Sequence, residues 1–340
     1  MHTYLSRRPT GFSLIELMIS MLIGLIVLGG VLTIVINSKR SFLDHQAMSQ
    51  IQENARYALD TITRDIRMAG YFACAPLEKG VINTAKAKNP TSAGNYLVAV
   101  GDAITPLAGF DNGDIANATV FDAIKGVASG TDVIMIRRAD VEKEYRVINT
   151  PVIAKELVVA GDKADVKKDA PLVLVTPGCD AGILFNAGDV NGTTIKGLPA
   201  GVSLKGFVAG SRVAPVLVNS YFIGPSTAIT GSPALKREII TTTTTDPEEL
   251  AIGVENLQFE YGTLANGVMT YSSASVLNAA AVANAVAVRI HLLMRSQMPV
   301  HNQDTSFTFK YGDDDADKTV ISDRYLRQQV SATVQLRNRG

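Results

Sequence analysis

The chain has 340 residues, with 32 Lys and Arg against 32 Asp and Glu and no Trp, so a nucleic-acid surface held by bulk charge has no support. Apolar residues make up 46%, charged residues 19% and Gly 28 positions, which argues against a disordered chain and fits a folded, strand-rich domain with a sizeable core. The length suits two domains, or one large domain plus an anchor.

Residues 1–10 form a short, basic, hydrophilic leader carrying Arg7 and Arg8. Gly11, Phe12, Ser13, Leu14, Ile15 and Glu16 follow, and residues 17–36 then run without a single charge. As a helix that run spans about 30 Å, enough to cross the hydrocarbon core of a bilayer. A secretory signal carries its small-residue cleavage site after the apolar stretch. Here the small residue, Gly11, precedes it, so cleavage would leave the anchor attached. Arg7 and Arg8 place the N-terminus in the cytoplasm by the positive-inside rule, against the weaker pair Lys39 and Arg40. Glu16 is the anomaly: a carboxylate at the centre of a bilayer costs about 2.5–3.5 kcal/mol on insertion scales, so an acid here calls for a partner.

The order Gly11, Phe12, Ser13, Leu14, Ile15, Glu16 resembles the class III signal of type IV prepilins and pseudopilins. That resemblance implies a prepilin peptidase cutting after Gly11, N-methylation of the new terminus at Phe12, and pairing of Glu16 with the terminal amine of an adjacent subunit. The physics agrees, because a carboxylate in lipid gains most from a cation delivered into the same low-dielectric layer. The alternative is a plain signal-anchor with a stray Glu near one membrane face. Gly24, Gly29 and Gly30 allow close helix approach or local melting, or are ordinary membrane-helix glycines.

Beyond the apolar run, Met48, Ile51, Ala55, Ala58, Leu59, Ile62, Ile66 and Ala69 recur at spacings of three and four, which marks one helical face. Gln50, Glu53, Arg56, Asp60, Arg64 and Arg67 occupy the opposite face, and Gly70 supplies a stop. A continuous helix over 14–69 is about 80 Å long. Its stripe docks on a globular domain or, alternatively, forms a coiled-coil seam, against which its shortness and Ala content argue. The pieces Glu53-Asn54-Ala55-Arg56-Tyr57-Ala58-Leu59 and Arg64-Asp65-Ile66-Arg67-Met68-Ala69-Gly70-Tyr71, with Cys74 after them, resemble the post-membrane helix of the PilW family of minor type IV pilins. The C-terminal Asp323-Arg324-Tyr325-Leu326-Arg327 and the stretch from Val334 through Arg337 and Arg339 resemble the end of PilW-type proteins.

Residues 71–340 show no repeat and no second span. Leu257, Phe259 and Tyr261 alternate with Asn256, Gln258 and Glu260, and Val286, Val288, Ile290, Leu292 and Met294 alternate with Arg289, His291 and Arg295. Further strands are expected at 133–136, 172–175, 216–223, 307–311 and 326–336, and an Ala-rich helix at about 275–285. The expected fold is α+β: a long N-terminal helix packed on mainly antiparallel sheets whose other face is partly exposed, a pilin-like layout. The expected division is a cleaved leader at 1–11, a helix at 12–70 with its transmembrane half at about 14–36, and an exterior domain at 71–340. Segments 80–118, 176–212 and 241–245 read as surface loops.

Cys74 and Cys179 both follow the apolar run. In an exported domain they read as one disulfide closing a loop of about 100 residues, worth about 4 to 5 kcal/mol in the chain-entropy model, or else as two buried thiols. No hydrolase elbow, zincin motif, phosphate loop or dinucleotide fingerprint occurs, and His2, His45, His291 and His301 are scattered. His291 reads as a packing or surface residue. Asp313, Asp314, Asp315 and Asp317 are weak metal candidates against a solvated acidic loop, since the EF-hand order is missing. Asp111, Asn112, Gly113 and Asp114 read as a turn. No cofactor is expected.

These readings, with the resemblance, imply a minor type IV pilin and no enzyme. It would help start pilus assembly, sit in the tip complex, and support twitching motility and adhesion. The implied partners are the prepilin peptidase, other minor pilins, the major pilin and an inner-membrane assembly platform, without nucleic acid. The implied path runs from a single-pass inner-membrane protein with its large domain in the periplasm to the pilus fibre. Alternatives are a minor pseudopilin of a type II secretion system, or a membrane-anchored periplasmic enzyme or binding protein.

Overall fold

The structure, a computed structural model, describes residues 13–75, 82–83, 105–111, 124, 126–151, 156–162, 164–198, 203–240, 246–275, 282, 284–312 and 318–337. One helix, α1 (Leu14–Met68), runs unbroken through 55 residues that contain no Pro. Its end is built locally: Ala69 N–H donates to the Ile66 carbonyl, and Gly70 turns the chain at φ 75°. Gly70 N–H then donates to the Arg137 carbonyl at 2.9 Å, which ties the helix terminus to the sheet.

Strands are numbered in chain order. The largest sheet contains β1 (Ile82–Asn83), β2 (Leu107–Phe110), β3 (Val133–Ala139), β4 (Tyr145–Arg146), β6 (Pro171–Val175), β7 (Gly182–Asn186), β10 (Arg212–Pro225), β11 (Pro233–Ile240) and β12 (Glu248–Ile252). Its central strand, β10, pairs antiparallel with β3, β4, β6 and β11. The short strands β5 (Leu157–Val158), β8 (Val190–Asn191) and β9 (Thr194–Ile195) form a small separate sheet. A four-stranded antiparallel sheet holds β13 (Val254–Ala265), β14 (Val268–Ser272), β15 (Ala287–Pro299) and β18 (Tyr325–Gln335), in the order β14-β13-β15-β18. The hairpin β16 (Thr305–Lys310) and β17 (Lys318–Asp323) completes the set. The protein is α+β, with one long helix against mainly antiparallel sheets; β1 alone among the described strands pairs in parallel, with β7.

The main core forms where three surfaces meet. Ile51, Ala55, Ala58, Ile62 and Ile66 of α1 pack with Ile134, Ile136, Tyr221, Ile223 and Leu235 of the large sheet and with Leu257, Phe259, Val288, Ile290 and Leu292 of the four-stranded sheet. The two small alanines let the helix lie close to the strands. A second core on the far face of the large sheet joins Phe72, Val133, Met135, Val173, Val175 and Phe222. The tight fit has a visible constraint at Gly109, where a Cβ would stand 2.0 Å from the Tyr261 hydroxyl.

Three expectations change. The segment 176–212 carries β7, β8 and β9 in addition to loops, and 80–118 contains β1 and β2. The polar faces of β13 and β15 are more closed than expected: Gln258, Glu260 and His291 are buried, while Asn256, Arg289 and Arg295 stay partly exposed. Gln258 donates to the Gly130 carbonyl, and His291 lies between Glu260 and Ser331, so hydrogen bonding lets these groups leave water. Asp111 is in addition buried and accepts from the backbone N–H groups of Ala274 and Ser275, while Asn112, Gly113 and Asp114 of the expected turn lie outside the described residues. The expected helix at 275–285 and the segment 241–245 lie largely or wholly outside the described residues, as do Asp313, Asp314, Asp315 and Asp317.

Candidate assembly site

Among the described residues, α1 is the one helix long and apolar enough to cross a membrane, and its apolar window is uncovered by the rest of the chain. The side chains of Leu14, Ile15, Leu17, Met18, Leu22, Leu25 and their neighbours through Ile36 point into open space. Glu16 sits in the first turn of this helix, where a negative charge faces the positive end of the helix dipole. It has no hydrogen bond or ion pair with another described residue. Gly11 and Phe12 lie outside the described residues.

The second half of α1 is anchored by a different carboxylate. Asp65, buried within the stripe, accepts from Asn219 and from the Tyr221 hydroxyl, each at 2.5 Å, and meets Arg138 at 3.3 Å. Burial and the adjacent Asp65 charge push the Tyr221 phenol far above its ordinary range, so it stays a proton donor. The next segment continues the network. Tyr71 donates to Glu144 at 2.8 Å, Arg212 pairs with the same Glu144 at 2.7 Å, and burial with the Glu144 bond raises the Tyr71 phenol to about 12.

Cys74 and Cys179 are joined in a disulfide, and both occupy left-handed backbone, at φ 79° and 62°. Such a conformation costs a non-glycine residue roughly 1–2 kcal/mol, so the bond fixes two turns that would relax without it. The turn after α1 is thereby fastened to the loop between β6 and β7.

The C-terminal motif also has a structural meaning. Arg327, almost wholly buried, grips Glu255 through Nε and Nη2 at 2.6 and 2.9 Å and Asp323 through Nη1 and Nη2 at 2.5 and 2.7 Å. Its hydrogen bond draws the Asp323 carboxyl down to about 2. Arg295 stacks on the Tyr325 ring at 4.3 Å and pairs with Glu255 at 3.5 Å. On the same sheet, burial would raise the Glu260 carboxyl, but hydrogen bonds from His291 and Arg289 outweigh it and hold it below its usual value.

Sequence reading singled out Glu16, both cysteines, and the two stretches containing Asp65 and Arg327, but not what the last two do. One signal for Asp65 was present: it falls three residues after Ile62, on the apolar face, where an acid must find buried partners. Among the described residues no group of His, Cys, Asp and Glu is arranged to hold a metal ion.

A long helix with a bare apolar half and a disulfide-fastened antiparallel β domain describes a pilin-type subunit. Residues 6–32 match the prokaryotic N-terminal methylation motif, and residues 220–338 match the family of the type IV pilus-assembly protein W. Together these two matches support a PilW-like type IV pilin. The second match runs from β10 to just past β18 and so covers Tyr221, Glu255, His291 and Arg327. No curated protein and no solved structure matches the chain.

Proposed function

We propose that this protein is a minor type IV pilin that helps initiate pilus assembly and sits in the tip complex, supporting twitching motility and adhesion. It acts by assembly rather than turnover. It is inserted in the inner membrane with its N-terminus cytoplasmic, cut after Gly11 by the prepilin peptidase and N-methylated at Phe12. It then joins other minor pilins and the major pilin on the inner-membrane assembly platform. The carrying observation is Glu16, a carboxylate in an uncovered apolar helix with no cation among the described residues of its own chain. The terminal amine of an adjacent subunit supplies that cation at the same depth, so two costly charges in lipid become one pair. The large β domain favours the tip, where no further subunit has to stack above it.

The test replaces Glu16 by Ala in the full chain in its host. Cleavage after Gly11, read by intact mass, should persist, while recovery of the protein in sheared pili and the number of pili per cell should fall at least about tenfold, the loss of roughly 1.4 kcal/mol or more of assembly free energy. Wild-type recovery of that variant in pili would remove the pairing role.

A further inference from the structure

The outer side of α1 carries a second pattern. Gln46, Gln50, Glu53, Tyr57, Asp60, Arg64 and Arg67 are all exposed, at spacings of 4, 3, 4, 3, 4 and 3 residues. That alternation averages 3.5 residues, the repeat that keeps one straight row of side chains facing a neighbouring helix. The row is polar, with acids at its middle and bases at its far end. There, Arg64 and Arg67 face Arg337, which follows β18, across a cleft of about 360 Å³ that Asp60, Thr63 and Met68 also line. Among the described residues none of the three arginines pairs with a carboxylate.

Resting on the pilin reading above, we propose that this row is a helix-docking surface, and that the cleft of Arg64, Arg67 and Arg337 receives carboxylate side chains from the post-membrane helix of an adjacent pilin. Charge selects the occupant. Three guanidinium groups against one Asp60 favour a planar anion that accepts paired N–H bonds. Glu53 and Asp60, on the same row, repel a phosphate backbone laid along it, which disfavours nucleic acid. Lipid is excluded by height, because Arg64 lies 28 residues beyond the end of the apolar run, about 42 Å up the helix, while the surface potential of a membrane decays within about 10 Å. A partner anchored in the same membrane by its own helix presents a second helix at this height, with its axis already nearly parallel.

The experiment places a photo-crosslinking benzophenone amino acid at Thr63 of the full chain in its host, and the adduct is identified by mass spectrometry. The expected product joins Thr63 to the post-membrane helix of another pilin near an Asp or Glu. Arg64→Glu with Arg67→Glu should reduce its yield about tenfold, because like charges then face each other. Both arginines point away from the core, so formation of the Cys74–Cys179 disulfide, read by non-reducing mass, serves as the folding control. An undiminished adduct in the double variant overturns the proposal, as does an adduct to nucleic acid, lipid or a non-pilin protein, or no adduct. If the adduct fails while the wild-type chain enters pili in a Glu16-dependent way, the docking surface alone is wrong. If the wild-type chain does not enter pili, the pilin reading falls and the docking surface falls with it.

Discussion

Two carboxylates ride on the same helix under opposite conditions. Asp65, in the exterior half, is enclosed by three donors from the β domain, Asn219, Tyr221 and Arg138. Glu16, in the apolar half, meets no donor of its own chain among the described residues, in the environment where a bare charge is most costly. A chain that satisfies one acid so fully has the means to satisfy another, so the two differ in purpose. Asp65 joins helix to domain within a subunit, and Glu16, on the pairing proposed above, is left for a bond that a second subunit completes.

The largest effect expected from breaking this contrast comes at Asp65. Its replacement by Ala leaves the buried Tyr221 hydroxyl without its acceptor and the partly buried Arg138 without its carboxylate, and removing one partner of a buried pair costs about 3–5 kcal/mol. Urea unfolding of the full chain in detergent should show that loss, with cleavage after Gly11 unchanged. A loss under about 1 kcal/mol would mean that the helix is held by its apolar stripe alone. Cys74→Ser comes next. The bond closes a sequence separation of 105 residues, and losing it should lower stability by about 2–5 kcal/mol, with the chain-entropy figure at the upper end. Protease should then cut first near the turn that follows α1, where left-handed backbone at Ala73 and Cys74 is free to relax.

How far the sequence carried these features depends on the range of the interaction. The helix was readable nearly to the residue, expected over 14–69 and found as Leu14–Met68, because its signal is a local period. Strands with several alternating residues were readable for the same reason. The two-residue strands β8 and β9 were not, since two residues define no period and only cross-strand partners make them strands. Glu16 declared itself because an acid beside twenty uncharged residues is a contradiction visible in one stretch. Asp65 did not, because its partners Asn219 and Tyr221 stand 154 and 156 residues away and are brought to it only by the pairing of β10 with β3. The polar faces of β13 and β15 looked solvated for a similar reason: the groups that cover Gln258 and Glu260 come from other strands and loops.

A third acid sharpens the comparison by pH. Glu238 on β11 is 3% exposed and stands opposite Ser220 on β10, and neither Glu238 Oε2 nor Ser220 Oγ has a hydrogen-bond partner. Burial raises this carboxyl to about 7 from 4.5. A raised folded value means that the native state holds its proton more tightly than the unfolded chain does. The stability linked to this proton is therefore complete below about pH 4.5 and lost as pH rises through about 7, a total of up to about 3 kcal/mol. Glu238→Gln, which cannot ionise, should gain most of that amount at pH 8 and little at pH 4, flattening the pH profile of the urea midpoint. An identical profile for variant and wild type would show that Glu238 reaches water or a cation in solution.

The smallest expected effect is the most discriminating one. Glu16→Ala in the isolated, detergent-solubilised chain should change the free energy of unfolding by less than about 0.5 kcal/mol, the range of an exposed substitution without internal partners. The same change should sharply reduce entry into pili, whereas Asp65→Ala loses stability with or without a neighbour. If Glu16→Ala destabilised the isolated chain by 1 kcal/mol or more, the acid would have a partner inside its own subunit, and its pairing with a neighbour's amine would lose its physical basis. If it left both stability and assembly unchanged, hydration near the membrane face would already meet its needs. Only the combination of a silent monomer and a failed assembly fits a carboxylate whose partner belongs to another chain.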